Sequence, residues 1–223
     1  VGNEACGEIV SGQNDLDKTK LVFMNESNPH TAIILLAAGA SRRLGQPKQL
    51  LPFGEKTLLE KMAQVALDSG CGQVVVVLGA FFDKTAAAID HLPVHIAKNE
   101  AWENGMGASI SCGVRFLEKN VPEVDAALLM LCDQPFVQAA HLKKLVATWQ
   151  ESGKEAVASA YGDTLGVPAL FSRRLFGELS ALPGEQGAKA VLLAHREELT
   201  TIDFPEGRVD LDTRKDWESL AGV

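Results

Sequence analysis

Short apolar runs alternate with amphipathic helical patterns from residue 31 to residue 132, and this rhythm constrains the fold more than any other feature. Runs at 31–37, 73–78, 94–97 and 125–132 read as strands, and helical patterns fall between them near 57–69, 81–91 and 106–118. Such an alternation predicts a mainly parallel sheet with helices on both faces and right-handed crossovers, a three-layer Rossmann-like α/β fold. Ligands in sheets of this kind bind at the carboxyl ends of the strands. Beyond Gln138 the rhythm becomes mixed, predicting a helix to about Ser152, strands at 155–161 and 166–171, and helices near 173–182 and 188–195. Strands near Thr200 and Arg208 and a final helix complete the expectation. Residues 1–30 are polar and read as an N-terminal extension outside the fold, leaving 31–223 as a single domain. With 46% apolar residues, a chain of this length can build one large core.

The formal charge of −8 argues against nucleic acid or an anionic membrane as a partner, so positive charge must act locally. No apolar run is long enough to span a bilayer and no signal-peptide pattern opens the chain, so the expected location is cytoplasmic. Cys6, Cys71, Cys112 and Cys132 show no metal-binding or disulfide spacing and read as reduced thiols. The five histidines are scattered and suggest no ligand set.

The segment after the first strand is the most informative for chemistry. Leu36, Ala37, Ala38, Gly39 and Ala40 form a small-residue turn that a ligand can approach closely, so that backbone N–H groups can meet phosphate oxygens. Ser41 follows, and Arg42, Arg43 and Lys48 add more positive charge than a single carboxylate needs, which makes a nucleoside triphosphate the simplest ligand. Gly-Ala turns are common and Arg pairs on loops are commonly solvated. The segment also matches neither a P-loop nor a dinucleotide fingerprint, which makes a redox enzyme remote. It is the conjunction of strand, turn, Arg43, Gly45 and Lys48 that favours phosphate binding.

Asp133 stands where the apolar strand at 125–132 stops, a position that suits a Mg²⁺ ligand, although taken alone an N-cap or turn before Pro135 is the stronger reading. Asp210 and Asp212 share a face by period-two alternation, and Asp212 can also cap the final helix. Gly105, Met106, Gly107 and Ser109 open a helix from a glycine-rich loop where a planar ring can approach the backbone, and Gly79 and Ala80 end another strand on the same side.

The string from Leu36 to Leu51, L-A-A-G-x-S-x-R-x-G-x-x-K-x-L-L, resembles the signature of the molybdopterin-type nucleotidyltransferases, most closely the molybdenum cofactor cytidylyltransferase group. The resemblance extends through N-x-x-W-x-x-G-M-x-x-S at Asn99, D-Q-P at Asp133, G-x-P-x-L-F at Gly166, a Gly-Ala-Lys element at Gly187 and D-L-D-T at Asp210. It implies transfer of CMP from CTP to the terminal phosphate of molybdopterin, with release of pyrophosphate. The cofactor implied is Mg²⁺, with Mn²⁺ as an alternative. Arg43, Lys48 and Asp133 would carry catalysis, and Asp133 with Asp212 would bind the metal. Leu36 to Arg43, Lys48, Gly79, Ala80, Gly105, Met106 and Ser109 would bind the nucleotide, and Pro168, Gly187 and Lys189 the phosphorylated pterin. A molybdoenzyme or its chaperone is an implied partner. Glu185 stands where the family usually has Asp, Lys189 where Arg is frequent, and Val167 where His is often seen. Ala38, in place of a frequent Gly, favours cytidylyl over guanylyl transfer from GTP; a nucleotide-binding accessory protein is the alternative of another class.

Overall fold

The computed structural model describes residues 30–42, 44–209, 211 and 217. Its sheet has seven strands: β1 (Thr31–Leu36), β4 (Gln73–Leu78), β5 (His95–Lys98), β6 (Ala126–Leu131), β7 (Ala156–Tyr161), β8 (Thr164–Ser172) and β9 (Leu199–Asp203). A small antiparallel pair, β2 (Pro52–Phe53) and β3 (Lys56–Thr57), turns through Gly54, which adopts a positive φ of 65°. The strand order is β5-β4-β1-β6-β8-β7-β9. β1 pairs in parallel with both β4 and β6, and β8 runs antiparallel between β6 and β7. The sheet is therefore mixed but mainly parallel, as expected.

Side chains of β1 divide the core. Ala32, Ile34 and Leu36 pack with Ile110 and Val114 of α3 (Met106–Asn120) and with Phe176 and Leu179 of α5 (Phe176–Ser180). Ile33 and Leu35 face the other way, toward Leu59 and Met62 of α1 (Leu58–Ser69) and Leu142 and Leu145 of α4 (Ala139–Ser152). The apolar run of β1 is explained by this: both faces of the strand are covered, so neither needs polar residues. α1 starts where Thr57 Oγ1 accepts the N–H of Glu60 and stops at Gly70, whose φ of 61° closes the last turn.

Two boundaries differ from expectation. The helix placed at 81–91 is α2 (Phe82–Ala87), because Phe81 takes a left-handed conformation ahead of it and the chain then tightens into three-residue turns before Pro93. The strand expected near Arg208 is instead a 3₁₀ turn, Pro205–Arg208. Proline supplies no N–H for a ladder, and Gly207 packs so closely that a Cβ there would lie 2.7 Å from the Phe204 ring. α6 spans Lys189–Ala194. The final helix and residues 1–29 lie outside the described residues. Among the described residues no helix is long and apolar enough to cross a membrane.

From β1 the chain builds outward through β4 to β5, then α3 carries it back to β6 on the other side of β1. The gap between the ends of β1 and β6 is thus the point where strand order reverses, which in open α/β sheets is where ligands bind.

Candidate functional site

A cavity of about 270 Å³ opens at that switch point. Leu36, Ala37, Ala38, Gly39, Ala40, Arg42 and Lys48 line one side, Gly105, Met106 and Ser109 another, and Asp133 stands at the end of β6. Residues separated by almost a hundred positions therefore line one cavity. Ser41, Gly79 and Ala80 do not line it. Ser41, at φ 53°, accepts the Lys48 N–H through its hydroxyl and so folds the loop back on itself. Ala80 donates its N–H to the Ala38 carbonyl, and Gly79 lies so close to Trp102 that a Cβ would fall 2.5 Å from that residue's Cβ.

The turn after β1 has a consistent polarity. Its first four carbonyls are taken by the protein: Leu36 O by the Cys132 N–H, Ala38 O by the Ala80 N–H, and Ala37 O and Gly39 O by the side-chain amide of Gln49. The N–H groups of Ala38, Gly39 and Ala40 have no protein acceptor among the described residues. A row of backbone donors without acceptors, beside a lysine, is an arrangement whose polarity suits an anion.

Lys48 Nζ donates to Asp133 Oδ2, and both side chains are largely buried. The other oxygen of that carboxylate, Oδ1, is buried without a hydrogen-bond partner. An orphaned carboxylate oxygen at a cavity lining fits a hard cation, which favours oxygen ligands and takes one or two carboxylates alongside phosphate oxygens. Among the described residues no cluster of three or more His, Cys, Asp or Glu side chains forms a protein-only cage. Asp210, Asp212 and Arg43 lie outside the described residues, but the Leu211 N–H donates to the Asp133 carbonyl, which brings the backbone at 211 to the end of β6. Cys132 is buried at the same strand end. Burial, reinforced by the neighbouring Asp133 charge, pushes its thiol pKa up and keeps it neutral.

Ser109 is positioned by Asn99. Asn99 Oδ1 accepts the Ala101 N–H, which leaves its amide nitrogen to donate to Ser109 Oγ at 3.0 Å. The serine hydroxyl hydrogen is then available toward the cavity. Gly105 and Gly107 have a packing role: a Cβ on either would lie 2.3 Å from a carbonyl oxygen, of Gly184 and Pro183 respectively, and Gly107 donates its N–H to Gly184 O. At the rim, Arg42 and Glu103 pair at 3.7 Å with both side chains mostly exposed.

A second, more apolar cavity of about 240 Å³ adjoins the first and shares Leu36, Met106 and Leu131 with it. Gly187 and Lys189 line it, Lys189 donating to Thr164 Oγ1. Pro168 does not; its carbonyl accepts from Ser159, and the adjacent Gly166 and Val167 face the cavity. The residue most clearly missed from sequence is Gln49, because nothing local marks its amide as the partner of carbonyls ten and twelve positions earlier.

An α/β sheet whose switch point gathers a turn of unbonded backbone N–H groups, a lysine and the Asp133 carboxylate suits a nucleotidyltransferase. The chain belongs to the MobA-like NTP transferase domain family, which it matches over residues 33–199. It is 32% identical to the purine catabolism protein PucB of Bacillus subtilis, over 80% of this chain and 94% of that protein. It is also 34% identical to nicotine blue oxidoreductase of Paenarthrobacter nicotinovorans, over 63% of this chain and 66% of that one. The crystal structure of Rv0371c from Mycobacterium tuberculosis superposes with a TM-score of 0.77 at 31% identity, covering 88% of this chain and all of that one. Another structure of Rv0371c, with a TM-score of 0.73 at 27% identity, holds manganese and likewise covers 88% of this chain and all of that one.

Proposed function

We propose that this chain transfers CMP from CTP to the terminal phosphate of molybdopterin, releasing pyrophosphate, with residues 31–223 acting as one domain in the cytoplasm. The observation that carries the reading is the turn after β1, in which the carbonyls of Leu36 to Gly39 are bonded to protein and the N–H groups of Ala38, Gly39 and Ala40 are left for an anion. A phosphate oxygen of the acceptor attacks the α-phosphorus while the bond to the pyrophosphate oxygen breaks. The acceptor phosphate is already anionic near neutral pH, so the protein needs no general base and acts by holding reactants and balancing charge. The N–H groups of Ala38, Gly39 and Ala40 bind the triphosphate, and Lys48 and Arg43 steady the leaving pyrophosphate. Asp133 and Asp212 would hold Mg²⁺ or Mn²⁺, which when bound neutralises charge on the phosphate oxygens. Ser109 meets the base edge, while Gly187 and Lys189 meet the acceptor in the adjoining cavity. A molybdoenzyme or its chaperone then receives the product.

The experiment is a pyrophosphate-release screen of the four triphosphates against molybdopterin and other phosphorylated acceptors, with identification of the product. CTP-dependent release with molybdopterin is expected; release with GTP instead selects guanylyl transfer, and tight nucleotide binding without release selects an accessory role. The similarity to a protein named nicotine blue oxidoreductase favours a second reading. Cofactor-dependent reduction of that dye, with no pyrophosphate released under any condition, would select it.

A further inference from the structure

Gln49 is 1% exposed and sits in a short 3₁₀ turn, Lys48–Leu50, directly after Lys48. Its amide nitrogen donates to Ala37 O at 2.8 Å and to Gly39 O at 2.7 Å, using both hydrogens. Both contacts are to carbonyl oxygens, so the amide cannot be reversed without setting three acceptors against one another. Its own oxygen is then left buried without a donor, an unfavourable state that the fold accepts in order to hold the two carbonyls.

Peptide planes carry their N–H and C=O on opposite sides. A carbonyl drawn back toward Gln49 therefore turns the N–H of the same peptide away, and the peptides after Ala37 and Gly39 carry the N–H groups of Ala38 and Ala40. Those are two of the three donors that lack a protein acceptor. We infer that Gln49 is the positioning residue of the anion-binding turn: its side-chain amide fixes the peptide orientation that presents backbone N–H groups to the triphosphate and keeps carbonyl oxygens from facing it. This inference rests on the reading of the cavity as a triphosphate site. Gln49 borders the cavity, but it is almost fully buried and both hydrogens of its amide are spent on the Ala37 and Gly39 carbonyls, so its donors act through the loop.

The test measures binding of CTP, GTP, ATP and UTP with Mg²⁺ by calorimetry, without acceptor, in the wild type and in Gln49→Met and Gln49→Glu. Methionine matches the side chain in shape but donates nothing; affinity for the preferred triphosphate should fall about tenfold to a hundredfold, the size of two lost hydrogen bonds. Glutamate can donate to one carbonyl only when protonated. Its affinity should therefore strengthen as pH is lowered, because burial against two carbonyl oxygens favours the protonated carboxyl, while the wild type stays flat. The glutamate profile is read within one variant, so a general loss of stability would not produce it; thermal melts confirm that each variant is folded. A folded Gln49→Met protein that binds as wild type does, or a pH-independent Gln49→Glu, overturns this inference alone. A wild type that binds none of the four triphosphates overturns both it and the function proposed above.

Discussion

Lys48 and Asp133, 85 residues apart, are joined by a charged hydrogen bond that bridges the turn after β1 to the end of β6. Each side chain is 17% exposed, so the pair is shielded from solvent and neither charge is easily left alone. The same contact sets the lysine on the carboxylate that the proposed metal would use, while Oδ1 of that carboxylate is buried without a hydrogen-bond partner.

Lys48→Ala should lower nucleotidyl transfer by about two to three orders of magnitude, as expected when a donor to developing phosphate charge is lost. It should also lower the melting temperature, because Asp133 is left buried without its partner, and Mn²⁺ should restore part of that loss. Steady-state kinetics and melts with and without Mn²⁺ check both; full activity in a folded variant would remove Lys48 from the mechanism.

Asp133→Asn removes the anionic ligand while keeping the shape. Binding of Mn²⁺ in the presence of triphosphate, followed by electron paramagnetic resonance, should weaken by at least about tenfold, in line with loss of a charged oxygen ligand. An unchanged spectrum and affinity would place the cation elsewhere.

Gly107→Val is expected to destabilise the protein by about 1–3 kcal/mol, the usual cost of forcing atoms into a packed space. Its Cβ would stand 2.3 Å from the Pro183 carbonyl oxygen, so the segment around Pro183 and Gly184 must move. Because that segment also buttresses Gly105 on the cavity lining, nucleotide affinity should fall with stability. Chemical denaturation and calorimetry provide the measurements.

Acidification should destabilise the fold through His141. Ser159 donates to Pro168 O, so its hydroxyl oxygen accepts from His141 Nε2–H, and the imidazole stacks on Phe204. Burial, aided by the nearby Lys144 charge and opposed by Glu206, brings its pKa down to about 4 from 6.5. The unfolded chain therefore binds a proton that the folded chain refuses between those values, so stability falls as pH drops from about 6.5 to about 4. Denaturation midpoints across this window should show a shallower slope in His141→Gln; an identical slope would assign the effect to other groups.

Strand and helix positions were largely legible in the chain because periodicity, N-caps and glycine stops act within a few residues, as at Thr57, Gly70 and the apolar run of β1. The small residues from Ala37 to Ala40 and the basic residues after them suggested phosphate binding for the same local reason. Strand order, and with it the switch point that joins Lys48 to Asp133, comes from pairing across long stretches of chain, which no local pattern records. The orientation of the turn's peptides is likewise a tertiary matter. A glutamine amide reaching back ten and twelve residues, and a sheet neighbour donating from Ala80, decide which backbone groups remain available to a ligand. Side-chain type restricts what a residue can bond to, but only the packed structure, by excluding water and bringing distant groups within hydrogen-bond reach, determines which bond is made.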